Sequence, residues 1–352
     1  MPWSDILGHD NLVDRFRQSA RGGRLASTFL FVGPDGVGKR AFAIELAKCL
    51  LCERHSEGEL QACGECPSCL QVRAGSHPDL LMVRKPDDKS FIPLELLIGD
   101  DEHRMREGLC HDISLKPYKG GRKVAIIDDA DYLNVEGANC LLKTLEEPPP
   151  KSVIILIGTS EQRQLPTIRS RTQIVRFRPL SVEHVVQLIG AVRAGEEATD
   201  PDELARLSSG SLTTATTMMD TEVRDFRAKW LAHLASASSN PFTFAKELAG
   251  FVDAAGKEAP LRRARMKQVA HWGCDFYRNV LLHLQGSSVE LDSAATNAVE
   301  EAVRWLPGSE AAGICLERCL DAYAQIEANA NPSTLMEAWL DDLKTRSQGR
   351  LV

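Results

Sequence analysis

Gly33-Pro-Asp-Gly-Val-Gly-Lys-Arg40 follows a short apolar run, Thr28-Phe-Leu-Phe-Val32, and precedes a segment of helical periodicity over residues 40–51. Strand, glycine-rich turn and helix in that order make a phosphate-binding loop. Backbone N–H groups at Gly33, Gly36 and Gly38 and the ammonium of Lys39 are the elements that cradle phosphate, aided by the positive N-terminus of the helix. The last position departs from the pattern. A Ser or Thr there coordinates Mg²⁺, whereas Arg40 has no oxygen to offer a metal. The chain thus keeps the frame of a nucleotide-binding loop and lacks one ligand of its chemistry.

Apolar runs recur at Asp79-Leu-Leu-Met-Val83, Lys123-Val-Ala-Ile-Ile127, Ser152-Val-Ile-Ile-Leu-Ile157 and Gln173-Ile-Val-Arg-Phe177. Near-continuous apolar strands alternating with helical stretches suit a parallel sheet covered on both faces. The expected fold is a doubly wound α/β sheet with ligand loops at the carboxyl ends of its strands. From Pro179 onward strand patterns stop. Residues 181–219 read as a small helical unit, and the remainder reads as helix to the C-terminus. There Met266, Val269, Gly273, Phe276, Val280 and Leu284 recur at helical spacing, which predicts core packing.

The chain has 352 residues, enough for two or three domains, with 43% hydrophobic and 26% charged residues. Its net charge of −7 excludes an overall basic face for wrapping nucleic acid, so any DNA contact is local. The opening Met1-Pro-Trp-Ser-Asp-Ile-Leu-Gly8 has no basic region followed by an apolar run, and the most apolar stretch, residues 153–157, is too short to span a bilayer. A cytoplasmic location is the expectation.

Of 10 cysteines, four carry meaningful spacing: Cys52, Cys63, Cys66 and Cys69. Zn²⁺ held by thiolates at about 2.3 Å needs close-set turns, and Gly64 and Pro67 supply turn residues within this run. Four sulfur ligands close the coordination shell, so the expected zinc is structural. Cys49 lies one helical turn before Cys52 and is an alternative first ligand. Free buried thiols are the competing reading. Cys110, Cys140, Cys274, Cys315 and Cys319 are read as small core residues.

The third apolar run ends in Asp128-Asp129-Ala130-Asp131. Beside a phosphate-binding loop, Asp128 stands where a carboxylate holds the Mg²⁺ shell, and Asp129 where an acid polarises water. Asp129 is one methylene shorter than the usual Glu, which shortens its reach. Alternatively, both acids simply favour the N-terminus of a following helix.

Gly33 to Lys39, the cysteine run, His77-Pro-Asp79, Leu141-Leu-Lys-Thr-Leu-Glu-Glu-Pro-Pro149 and Leu165-Pro-Thr-Ile-Arg-Ser-Arg171 occur in an order that resembles the AAA+ clamp-loader subunits of bacterial DNA polymerase III. The resemblance covers residues 1 to about 180. It implies an AAA+ α/β domain over residues 1–178 with a zinc module at about 49–70, a helical lid over 179–222 and a helical collar over 223–352. In that family a Ser-Arg-Cys motif carries an arginine that reaches the nucleotide of the neighbouring subunit. Here the motif is Ser170-Arg171-Thr172, and Arg171 is the implied arginine finger; an ordinary surface ion pair is its bland alternative. Active relatives have Thr at Arg40, Glu at Asp129 and an arginine at Thr214, while Thr159 matches the sensor position.

These departures imply little or no ATP hydrolysis, with ATP and Mg²⁺ bound weakly or not at all, and a stator role in a hetero-pentamer of motor subunits and delta. That assembly opens a sliding clamp and places it on primer-template DNA. Two other readings stay open. One is an active motor subunit of the same loader. The other is a zinc-bearing DNA-binding module on a vestigial ATPase fold, although Arg54 is the one Lys or Arg between the cysteine ligands.

Overall fold

The computed structural model describes residues 3, 6–119, 121–192, 200–287 and 291–349. Residues 1, 2, 4 and 5, on which the absence of an apolar leader was partly read, and residues 193–199 of the expected lid lie outside them. The chain divides into two units: Met1–Glu196 with Ser208–Thr214, and Glu197–Leu207 with Ala215–Val352.

In the first unit, β1 (Thr28–Val32), β2 (Leu80–Val83), β3 (Lys123–Ile127), β4 (Ser152–Gly158) and β5 (Gln173–Arg176) form one sheet in the order β2-β3-β4-β1-β5. Every pairing is parallel, with Thr28 opposite Ile154, Lys123 opposite Ser152 and Phe29 opposite Gln173. Around the sheet run α1 (Asp10–Arg21), α2 (Lys39–Leu51), α3 (Pro67–Ala74), α4 (Glu95–Ile98), α5 (Leu109–Ser114), α6 (Val135–Glu146), α7 (Pro166–Arg169) and α8 (Val182–Val192).

The inner strands β1, β3 and β4 are buried at every position and nearly all apolar because both their faces are covered, whereas the edge strands β2 and β5 are only partly buried. Phe29, Phe31, Val124, Ile126, Val153 and Ile155 enter one core with Phe16, Phe42 and Leu46. Leu30, Val32, Ala125, Ile127, Ile154 and Leu156 enter the other with Leu141, Leu145 and Ile168. The alternation of successive side chains splits each strand between the two cores. Phe31, Phe42 and Phe177 meet with ring centroids 5.2–5.8 Å apart, which fixes α2 on the sheet just beyond the glycine-rich turn.

The second unit is helical among the described residues. α9 (Pro201–Leu207) belongs to it, and α10 (Leu212–Thr217) opens with three residues of the first unit. α11 (Thr221–Ala235), α12 (Pro241–Ala254), α13 (Ala259–Leu284), α14 (Ser293–Val303), α15 (Ser309–Glu327) and α16 (Pro332–Ser347) complete the chain. Met266, Val269, Gly273, Phe276 and Val280 form a buried stripe of α13, with Leu284 half-buried. A Cβ on Gly273 would sit 3.0 Å from Cys319 Sγ, so the missing side chain is what lets α13 approach α15. Arg227 donates from both Nη atoms to Asp292, whose carboxylate also accepts from Ala295 N at the start of α14. Cys110, Cys315 and Cys319 are buried as expected, whereas Cys140 and Cys274 are only half-buried.

His233 stacks on Phe244 with centroids 4.1 Å apart. Burial, reinforced by the Lys344 charge, pushes its pKa from the usual 6.5 down to about 4. Between those values the unfolded chain binds a proton that the folded chain refuses, so stability rises with pH across that window. The His233 contribution is fully present above about pH 6.5 and is lost as pH falls to about 4. Urea midpoints measured from pH 7 to 4 should therefore fall more steeply for the wild-type protein than for His233→Gln; parallel profiles would contradict this assignment.

Candidate functional site

β1 delivers the chain into the loop of residues 33–38, and α2 begins at Lys39. Gly36 and Gly38 have φ of 73° and 97°, a left-handed backbone that only glycine adopts without strain. Lys39 does not point into open space. Its Nζ donates to the carbonyls of Gly33 and Pro34, each at 2.6 Å, and lies 3.7 Å from Asp35. The side chain is 7% exposed, and burial lowers its pKa.

The far side of the loop is covered by the chain itself. Leu212 N donates to Gly36 O at 2.9 Å, and a Cβ on Gly36 would fall 2.4 Å from Ser211 Oγ and 2.6 Å from Thr213 N. Thr214 donates its backbone N–H to Ser211 Oγ. His9 closes another side, with Nε2 2.7 Å from Val37 O and its ring edge-on to Phe177. A carbonyl only accepts, so Nε2 carries the proton, and burial pushes the His9 pKa down. Nothing in the sequence pattern singles out His9, because the contact joins residues 28 apart.

The metal side of the loop holds a cation of the protein's own. Arg40 Nη1 lies 3.4 Å from Asp128 Oδ2. Asp129 turns away: its φ is 58°, and its Oδ2 accepts from Arg84 Nε at 3.3 Å. Burial and the neighbouring Asp128 raise the Asp129 pKa. Thr159, at the end of β4, gives both its N–H (2.8 Å) and its hydroxyl (2.5 Å) to Asp131 Oδ2, and Gln164 binds the other Asp131 oxygen. Asp131 was legible only as the tail of an acidic run, yet it accepts from the Thr159 hydroxyl. The donor set around Asp128 does not suit a divalent cation, since a guanidinium occupies its carboxylate and Thr159 is already committed.

Arg171 sits at the opposite end of β1, between α7 and β5. Thr28 Oγ1 donates to its carbonyl at 2.8 Å, and its N–H donates to Ile168 O. The guanidinium donates from Nε at 2.7 Å and from Nη2 to Glu146 Oε1, and from Nη1 to Thr167 O at 2.9 Å and Ser170 Oγ at 3.1 Å. The pair borders an open concavity of about 640 Å³ that Ser27, Leu145 and Pro148 also line. Thr172, in place of the family's cysteine, returns its hydroxyl to Ile168 O.

The cysteine run folds into a cluster. The sulfurs of Cys52, Cys63, Cys66 and Cys69 all lie within 4.8 Å of one another, and those of Cys63 and Cys69 are 3.9 Å apart. A tetrahedron with Zn–S bonds of about 2.3 Å has edges of about 3.8 Å, so these residues fit zinc. Backbone N–H groups of Cys63, Cys66 and Cys69 point at the sulfurs of Cys52, Cys63 and Cys66 respectively. At Cys63, N–H donors led by Glu65 draw the thiol pKa down to about 6, which favours the ligating thiolate. Cys49 lies outside the cluster, 1% exposed in the sheet-facing core, with its thiol pKa raised by burial.

A parallel sheet, a glycine-rich turn opening α2 and a cysteine cluster after α2 define a P-loop-type α/β domain. Residues 8–181 match the family described as DNA polymerase III, delta subunit. The chain is 37% identical over 214 residues to DNA polymerase III subunit delta' of Pseudomonas aeruginosa, covering 60% of this chain and 62% of that protein. It is 36% identical over 157 residues to the delta' subunit of Bacillus subtilis, 45% of this chain and 44% of that one. It is 30% identical over 223 residues to subunit tau of Escherichia coli, 62% of this chain and 32% of the other. Over residues 8–181 the chain is thus similar to subunits of DNA polymerase III, delta' and tau among them. The matches span less than two thirds of each of these relatives.

Proposed function

We propose that this chain is a stator of the DNA polymerase III clamp loader: a subunit that does not hydrolyse ATP itself and supplies Arg171 to the nucleotide site of a neighbouring ATPase subunit. The observation that carries the first half is the Arg40–Asp128 pair. Phosphoryl transfer requires metal charge across the β- and γ-oxygens, and here a side-chain cation faces the metal-holding acid. Lys39 spending its protons on loop carbonyls, and the cover of residues 211–213 on Gly36, support the same reading.

The second half follows from the match to the family's Ser-Arg-Cys motif and from the solvent-facing concavity beside Arg171. In this reading residues 1–178 form the AAA+ domain, 179–222 the lid and 223–352 the collar. Motor subunits and delta are the partners in a hetero-pentamer, and the sliding clamp and primer-template DNA are met within it. Zinc is structural. Among the described residues no helix is long and apolar enough to cross a membrane, in keeping with a cytoplasmic assembly.

The test is ATP turnover by the purified chain with Mg²⁺. No hydrolysis above the no-enzyme rate is expected, and Arg40→Thr alone should not restore it, because Asp129, Thr159 and Lys39 remain turned elsewhere. Brisk turnover by the wild-type chain would favour the motor-subunit reading. Steeply salt-dependent DNA binding by the isolated chain would favour the nucleic-acid-binding module.

A further inference from the structure

Arg171 has five N–H donors, and four are in use within its own chain. Nε–H and one Nη2–H go to Glu146, and both Nη1–H groups go to Thr167 O and Ser170 Oγ. A guanidinium grips a phosphate bidentately through two parallel N–H bonds. One fork is fully taken and the other has a single N–H left, so a bidentate grip on an anion from outside requires one of these bonds to be given up.

The two forks are not equally exchangeable. Thr167 O is backbone in α7, fixed by the same turn that holds Arg171 N. Glu146 is a side chain 49% exposed, on the last residue of α6. A carboxylate at a helix C-terminus faces the negative end of the helix dipole, so Glu146 depends on Arg171 for its compensation. The pair borders the concavity formed with Ser27, Leu145 and Pro148, where an incoming group meets the guanidinium.

We infer that Glu146 is a positioning residue that latches Arg171 in the free subunit, and that the guanidinium exchanges this carboxylate for the phosphate of a docking neighbour. The inference rests on the reading of Arg171 as a finger. The latch lowers the fraction of subunits whose finger is ready, so it suppresses turnover by loaders that have not yet met DNA. Its strength is that of a half-exposed ion pair, which corresponds to a population shift of roughly two- to fivefold.

The test uses the complete reconstituted loader carrying Arg171→Ala, Glu146→Gln or both. Glu146→Gln should raise DNA-independent ATPase roughly two- to fivefold, and the double variant should show none of that rise. An unchanged rate in Glu146→Gln overturns the latch, as does a rise that persists in the double variant. A fall in the DNA-stimulated rate of Glu146→Gln also overturns it, since that is the mark of a prop for the working pose. If Arg171→Ala alone leaves DNA-stimulated turnover intact, the finger reading fails first and takes the latch with it. A merely structural pair moves the melting midpoint of the subunit and leaves both rates alone.

Discussion

Replacing Arg171 by Ala should slow hydrolysis at the neighbouring subunit's site by on the order of 10³ while leaving the loader assembled, because an arginine supplied in trans stabilises transition-state charge. The side chain is about one-third exposed and belongs to neither core of its unit, so its removal costs the fold little. The backbone at 171 stays pinned by Thr28 and Ile168 through groups the substitution leaves in place. In a rapid-quench experiment on loader bound to clamp and primer-template DNA, the burst should lose the ATP hydrolysed at that one site. Size exclusion of the same sample should show an intact complex. Arg171→Lys should rescue poorly, since an ammonium offers no planar fork. A full burst in the Ala variant would leave Arg171 as a surface ion pair with Glu146 and nothing more.

Loss of the metal should have the largest effect on stability. Structural zinc contributes an apparent 10–16 kcal/mol in small zinc modules at neutral pH, much of it as folding free energy. Here the ligands are also part of a core. Cys66, Cys69 and Val72 pack with Leu60, Ala62 and Leu46 against the sheet face that carries Phe29 and Phe31, and Trp3 Nε1 donates to Leu60 O. The purified chain should hold one zinc, and Cys66→Ser should release it. The melting midpoint should then fall by roughly 10 °C or more, the scale set by losing several kcal/mol in a domain of this size. Cys49→Ala is the control: zinc content should stay at one, because that thiol faces the core. Metal analysis that finds no zinc, or full zinc in Cys66→Ser, would remove the assignment.

The sheet was legible because its inner strands are short, nearly all apolar and buried on both faces, so period and composition agree. The readings differ from the observed strands by a residue at the ends, as at Asp79, which lies just before β2 and instead caps the 118–119 turn through its carboxylate. The cysteine cluster was legible from spacing, but the choice between Cys49 and Cys52 was not. It depends on where α2 stops: the helix runs to Leu51 and buries Cys49, and the extended backbone at Cys52 turns that thiol toward the module.

The ties that define the site were hidden for a different reason. Arg40 with Asp128, His9 with Val37, Asp131 with Thr159 and Glu146 with Arg171 each join residues 25 or more positions apart. The motif showed that Arg40 could not bind a metal. It did not show that Arg40 would lie 3.4 Å from the Asp128 carboxylate.

Arg40 and Asp129 each have a partner within the chain, Asp128 and Arg84. Restoring a hydroxyl at position 40 strands Asp128 without its counter-charge, and lengthening Asp129 strands Arg84. An arginine at Thr214 would add positive charge to a loop whose lysine is already turned inward. Regaining turnover therefore takes several coordinated changes, each unrewarded alone, so mutational drift meets a one-way door here.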